Sequence, residues 1–178
     1  MDKTRVNIVQ SHWRKAELSD LPDIMTIAAA VHPDLPERSD VIAEKIRLGS
    51  DGCRVLISDG KIAGYGLSHL WMLQQVPPLD DFLLALPAAP DCLYIHDVAV
   101  LPACRGTRAT DAYVDAIMDL ARSLTIAHLA LVSVYDTTSF WARFGFRVVT
   151  PDAALRMKLT SYGEGAAYMI ADLRNGPI

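Results

Sequence analysis

Residues 100–114, VLPACRGTRATDAYV, are the part of the chain whose residue types and spacing point most directly to chemistry. A strand-like run reaches Pro102, Arg105 and Gly106 follow, and an amphipathic helical pattern begins. A strand that feeds directly into a helix leaves the first helical N–H groups without partners. Those donors, together with the helix dipole, favour an anion. Gly106 lets the backbone come close to a ligand, and Arg105 adds a guanidinium suited to phosphate. The stretch reads as a cradle for phosphate or pyrophosphate. A surface loop that only caps a helix has a similar composition, so the residues alone leave both readings open. A nucleotide P-loop is excluded because no GK[ST] follows. A dinucleotide fingerprint is excluded because GxGxxG is absent and the preceding strand falls late in the chain.

The other residues that could do chemistry are sparse. His12, His32, His69 and His128 show no metal-ligand spacing, and no metal is expected. Cys53, Cys92 and Cys104 are odd in number and contain no CxxC pair, so they read as reduced thiols of a cytoplasmic protein. At 51% hydrophobic and 21% charged residues, the 178-residue chain is of a globular, not a disordered, class. Its length suits one domain. The net charge of −4 argues against a nucleic-acid or anionic-membrane partner. No apolar run approaches the roughly 20 residues of a membrane span. The first residues, MDKTRVNIVQSHW, lack the apolar core of a signal peptide.

The elements that must position these residues follow from periodicity. Residues 1–11 are expected to be loose, and 12–178 to form one domain. HWRKAEL reads as a first strand. Ser19 offers a helix cap ahead of Pro22, and Ile24, Ile27, Ala28 and Val31 follow at helical spacing. A second helix is expected from Ser39, burying Val41, Ile42, the Lys45 stem, Ile46 and Leu48. CRVLISDGKIAGYGLSHLWM reads as a hairpin turning at Asp59-Gly60. The proline-flanked LQQVPPLDDFLLALPAAP suggests a short helix over 79–86, serving as a connection or as a flap beside a site. CLYIHDVAV is a buried strand. From about Arg105 to Leu124, one helical face carries Ala109, Ala112, Tyr113, Ala116, Ile117, Leu120 and Leu124. The opposite, solvated face carries Arg108, Asp111, Asp115, Asp119 and Arg122. HLALVSV is a strand, TTSFWARF a short helix closed by Gly145, and FRVVT and GAAYMIADL complete the strands. Strands alternating with helices imply a mixed α/β sheet with helices on its faces.

In this order of elements, VAVLPACRGTRAT resembles motif A of the GNAT superfamily of acyl-CoA-dependent N-acyltransferases, V-x-P-x-x-R-G-x-G-x-G/A. LALVSVYDTTSFWARFGF resembles the family's motif B, which ends in F-[YW]-x-x-x-G-F. The resemblance spans about residues 12–173. It implies a mostly antiparallel mixed sheet splayed between its fourth and fifth strands, with helices on both faces, and acetyl-CoA as cosubstrate in the splay. It implies that the backbone of Val98, Ala99 and Val100 pairs with the pantetheine arm. It further implies that the loop amides of Arg105, Gly106, Thr107, Arg108, Ala109 and Thr110 hold the pyrophosphate, with Phe140 as a pantetheine wall. The chain departs from the pattern in carrying Arg108 and Thr110 where motif A has glycine. A side chain at positive φ costs on the order of 1 kcal/mol. Arg108 either contacts a phosphate or sits on the solvated helix face.

The reaction implied is attack of a neutral amine on the thioester, which needs a base and an oxyanion donor. His96 is the expected base. Strict alternation puts Tyr94, His96, Val98 and Val100 on one strand face, and the resemblance to the arylalkylamine acetyltransferases places a histidine at this position. Alternation puts Asp97 on the opposite face, which argues against a His96–Asp97 dyad and Ser-His-Asp hydrolysis. Many family members carry an acid tyrosine in motif B. That position is Trp141 here, and indole is not a practical proton donor, so either Tyr135 or Tyr94 is the substitute or a solvent-exposed thiolate leaves without a dedicated acid. The expected activity is acetyl transfer to a primary amine of a small molecule or peptide; the alternative is a degenerate acyl-CoA binder. Asp34, Glu37, Asp80 and Asp81 are candidates to attract a cationic amine. Dimerisation is frequent in the family, which leaves a homodimer open.

Overall fold

The Asp59-Gly60 turn closes the hairpin as its residue types require. In a computed structural model of the protein, which describes residues 11–174, both turn residues take positive φ (50° and 75°). They join β2 (Arg54–Ser58) to β3 (Lys61–Trp71). β1 (Ser11–Lys15), α1 (Leu21–Val31) and α2 (Ser39–Leu48) precede the hairpin. After it come β4 (Cys92–Val100), α3 (Ala109–Ser123), β5 (His128–Ser133) and α4 (Thr138–Ala142). The remaining elements are β6 (Arg147–Val148), α5 (Ala153–Leu159) and β7 (Ala167–Asp172). The expected loose stretch 1–11 lies outside the described residues except for Ser11, which opens β1.

The sheet runs β1-β2-β3-β4-β5-β7-β6. Every pairing is antiparallel except β4 with β5. Apolar stripes at helical spacing set the layers. Ile24 and Ile27 of α1 and Ile42 and Ile46 of α2 bury against Val55, Tyr65, Leu67 and Ala99 on one face. Tyr113, Ile117 and Ala121 of α3 bury against Leu93, Ile95, Leu129 and Leu131 on the other. α5 covers the far end of the first face, where Leu155 and Leu159 meet Cys92, Tyr94 and Tyr168. No helix among the described residues is long and apolar enough to cross a membrane.

β4 holds the feature on which the site depends. Against β3, Leu67 pairs with Asp97 and Ser68 with Ile95, so His96 is an extra residue in a β-bulge. The bulge reverses the alternation. Leu93 and Ile95 face α3 before it, and Val98 and Val100 face α3 after it. Ala99 packs with α1 and α2, and Asp97 reaches Tyr65 on that same face. The expectation that His96 shares a face with Val98 and Val100, opposite Asp97, is therefore corrected. His96 and Asp97 both lie on the α1/α2 face. Three residues also leave their expected places on α3 and its C-cap: Asp111 is buried, whereas Ala112 and Leu124 are exposed.

Residues 79–86 form an irregular segment where a helix was expected. Its amides are claimed by carboxylates elsewhere. Glu37 accepts from the Asp80 N–H, and Glu44 accepts from the N–H groups of Leu83 and Leu84. Asp80 and Leu84 also take positive φ, which a helix cannot include.

Candidate active site

β4 and β5 pair through Leu93–Leu129, Tyr94–Ala130 and Ile95–Leu131, and no further. β4 then runs on to Val100 past the bulge while β5 stays with β7. The gap so opened is a cavity of about 490 Å³. Val98, Val100, Val134, Phe140 and Trp141 form apolar walls, and Arg105 and Thr110 stand at one end. His32, Glu37, His96, Asp97, Tyr135 and Tyr162 gather at the other.

At the first end the chain makes the turn that its composition predicts. The Arg105 N–H is committed to Pro102 O (3.1 Å), and the first bond back from α3 is Ala112 N–H to Arg108 O (3.0 Å). The amides of Gly106 to Asp111 find no backbone acceptor among the described residues. They stand at the N-terminus of a 15-residue helix. Gly106 has φ +75°, and the space where a Cβ would stand is open. Of the two positions that depart from motif A, only Arg108 needs positive φ (63°); Thr110 is within α3. The Arg108 side chain is 84% exposed and reaches Asp111 Oδ2 at 3.3 Å, so it leaves the loop open. Arg143, from the turn after α4, bonds the same oxygen at 3.2 Å. With Arg105, these arginines border a second hollow of about 330 Å³ over the loop. The chemistry of this end, open amides beside three guanidiniums, fits the diphosphate of an acyl-CoA.

The opposite end holds two histidine–carboxylate pairs. His96 Nε2 is 2.8 Å from Glu37 Oε1, and both side chains are almost fully buried. Glu37 Oε2 accepts from Lys45 Nζ (3.1 Å) and from the Asp80 N–H (3.2 Å). Lys45 is completely buried and also donates to Asp81 O. Burial alone would raise the Glu37 carboxyl, but His96 and Lys45 outweigh it and hold the group at about 2. Glu37 is therefore a carboxylate at neutral pH, and His96 Nε2 donates to it. His96 Nδ1 has no hydrogen-bond partner.

In the second pair, His32 Nε2 lies 2.9 Å from Asp97 Oδ1, while Tyr65 donates to Asp97 Oδ2. The His32 ring lies flat on Tyr135, with centroids 5.7 Å apart and planes 3° apart. Burial would lower the His32 imidazole, but Asp97, the Val98 backbone and Glu37 together outweigh burial and raise it. His69, behind His96 at 6.0 Å between ring centroids, is pushed down to about 3 by burial and by His96. It is neutral.

The structure brings His96, Val98, Val100, Arg105, Thr110, Tyr135 and Phe140 to the cavity, and Gly106, Arg108 and Ala109 to the adjoining hollow. Thr107 bonds Cys104 O through its hydroxyl. The Ala99 side chain turns into the core. Tyr94 is buried beneath β4, away from the cavity wall. The acidic residues expected to attract a cation are largely engaged. Glu37 serves Lys45 and His96, Asp80 pairs with Arg38, and Asp81 caps the Phe82 N–H. Sequence reasoning did not single out His32 or Arg143, nor Glu37 as a partner of His96.

The sequence matches the family described as "Acetyltransferase (GNAT) family" over residues 13–146. The chain belongs to that family. Membership supports acyl-CoA-dependent acyl transfer as its general activity. No curated protein sequence matches the chain. Among solved structures, the fold is similar to the loading GNATL domain of CurA from Lyngbya majuscula, with TM-score 0.77 and 13% identity over 93% of this chain and 99% of that one. It is similar to the GphF GNAT-like decarboxylase in complex with isobutyryl-CoA, with TM-score 0.74 and 16% identity over 92% and 100%. It is also similar to the ribosomal-protein-S18-alanine N-acetyltransferase from Escherichia coli, with TM-score 0.65 and 16% identity over 92% and 94%.

Proposed function

We propose that this protein transfers an acetyl group from acetyl-CoA to a primary amine of a small molecule or peptide. One observation carries the reading: a single gap between β4 and β5 joins an anion-binding helix start at one end to a histidine–carboxylate pair at the other. In this reading the loop amides and Arg105 hold the diphosphate, and the arm lies along Val98 and Val100 against Phe140. The thioester then rests beside the bulge. His96 takes the proton from the attacking amine through Nδ1, because Glu37 fixes its other nitrogen and stabilises the charge that develops. A bulged strand has an amide released from its ladder, available to the oxyanion. Coenzyme A leaves as the amide forms.

The test is thiol release from acetyl-CoA across an amine panel, run beside calorimetry with coenzyme A. Amine-dependent release that falls about 10²-fold or more in His96→Gln supports the reading. Binding without release from any amine favours a degenerate acyl-CoA binder instead, for which the Arg108 and Trp141 departures are the motive.

A further inference from the structure

Arg108 stands where motif A has glycine, and its φ of 63° lies in the region that strains any residue with a Cβ. Strain of this kind, kept where glycine would relieve it, points to a role for the side chain. That role is not closure of the loop, because the guanidinium leaves the amides open. Arg108 Nε donates to Asp111 Oδ2 at 3.3 Å, and Arg143 Nη2 donates to the same oxygen at 3.2 Å. Asp111 stands in the first turn of α3, and its side chain is only 12% exposed. One carboxylate thus fastens two guanidiniums that come from different parts of the chain. The Arg143 guanidinium also lies over the rings of Phe140 and Phe144, 5.3 and 5.5 Å from their centroids. Among the described residues neither arginine makes another side-chain hydrogen bond, so most N–H groups of each fork are uncommitted.

The hollow that these arginines border adjoins the gap between β4 and β5, with Arg105, Thr110 and Phe140 as walls common to both. An arm that runs along Val98 and Val100, with its diphosphate on the loop amides, presents its next groups to this hollow. In coenzyme A those groups are adenine and a ribose that bears a 3′-phosphate. A phosphomonoester carries close to two negative charges at neutral pH. The hollow's wall holds three guanidiniums and one carboxylate, in a chain whose net charge is −4. Planar forks match phosphate oxygens in pairs.

We propose that Arg108 and Arg143 clamp the 3′-phosphate of the coenzyme and make the protein selective for CoA over 3′-dephospho-CoA. The inference rests on the acyl-CoA reading above. It divides the cationic groups: the loop amides and Arg105 serve the diphosphate, and the other two arginines serve the phosphomonoester. Asp111 is the positioning residue for both guanidiniums. Its own repulsion of a phosphate is offset by those guanidiniums and by the start of α3.

The experiment measures by calorimetry the Kd of CoA and of 3′-dephospho-CoA for wild type, Arg108→Gly, Arg143→Gln and the double variant, at about 50 mM and about 300 mM salt. Melting temperatures are recorded alongside. At low salt the wild type should bind CoA at least about fivefold more tightly than 3′-dephospho-CoA, and the ratio should narrow as salt rises. Each single variant should lower that ratio, and the double variant should bring it below twofold. A wild-type ratio under about fivefold overturns the proposal. So does a double variant whose ratio stays above twofold, including the case in which both ligands weaken equally, which would assign these arginines to the diphosphate. Both side chains are more than half exposed, and Arg108→Gly relieves a strained backbone, so that variant should melt no earlier than wild type. If Arg143→Gln fails to fold, Arg108→Gly decides: a ratio at least halved supports the clamp, and a smaller change overturns it. No heat with either ligand in the wild type removes the diphosphate cradle and the clamp together. Selective binding without thiol release from any amine refutes the acyl-transfer reading alone and supports the clamp.

Discussion

Removing the charge of Glu37 should unfold this protein at lower denaturant without touching any apolar contact. The carboxylate is almost fully buried and accepts from Lys45 Nζ, His96 and the Asp80 amide. Its titration point falls from an ordinary 4.5 to about 2 in the fold. At about 1.4 kcal/mol per pH unit, that displacement is on the order of 3 kcal/mol. An independent argument gives the same size. Breaking a buried ion pair by removing one partner costs about 3–5 kcal/mol, because the other charge stays behind without water. Lys45, with no exposed surface, would be that charge.

Glu37→Gln should therefore lose on the order of 3 kcal/mol at pH 7 in urea unfolding. The folded value lies below the unfolded one, so the stabilisation is complete above about pH 4.5 and disappears as pH falls through about 2. At pH 3 the gap between wild type and variant should shrink to less than half its neutral value. Glu37→Leu with Lys45→Met should cost far less than the two single changes summed, since no charge is then stranded. A Glu37→Gln protein within about 0.5 kcal/mol of wild type at pH 7 would refute the reasoning, as would a gap that ignores pH.

Acetyl-CoA at 100 times its dissociation constant should stabilise the fold by about 2.7 kcal/mol, raising Tm by roughly 5–11 °C in a chain of this size; an unmoved melting curve would remove the diphosphate cradle from consideration. Gly66→Ala should cost about 1–3 kcal/mol, because the added Cβ would stand 2.2 Å from the Tyr113 ring, which bonds Ser68 and Gly52 O and has nowhere to go. Denaturant midpoints check it, and an unchanged midpoint contradicts the packing. His69 titrates near 3 in the fold and near 6.5 when unfolded, so it contributes a rise of stability with pH between those values. His69→Phe should flatten the slope of stability against pH in that window. Both carboxylates on the cavity wall, Glu37 and Asp97, are engaged by internal partners. Monoamines with apolar bodies should thus exceed linear polyamines in kcat/KM by tenfold or more, and the reverse order in the amine panel would mean that an acidic surface outside the cavity selects the substrate.

Local patterns made part of this molecule legible. The Asp59-Gly60 turn, the stripe of α2 from Ser39 and the loop entering α3 are local features, and residue type and spacing determine them. The segment after Pro77 misled because its apolar spacing suits a helix, while its amides are bound by Glu37 and Glu44 from the other side of the chain. No local pattern records such a bond. Glu37 itself stands among charged neighbours in HPDLPERSD, and only the tertiary fold separates it from the solvated Asp34. α5 announced itself through Asp152, which caps the Leu155 amide ahead of an apolar stripe, a signal that was available.

The bulge was written in the sequence as well, as a break of phase. Leu93 and Ile95 alternate, Val98 and Val100 alternate, and two residues rather than one separate Ile95 from Val98. The intervening polar pair, His96-Asp97, takes up the extra position. A bulge bends its strand and increases its local twist. Here it begins at the residue after the last β4–β5 pair, where the sheet opens. It also keeps two consecutive side chains on one face, so that a carboxylate from β4 stands beside His32 while the neighbouring imidazole is held by Glu37. A strand of strict alternation would offer the cavity one of these pairs and turn the other into α3. Opening the gap and placing two histidine–carboxylate pairs beside it are therefore consequences of a single inserted residue.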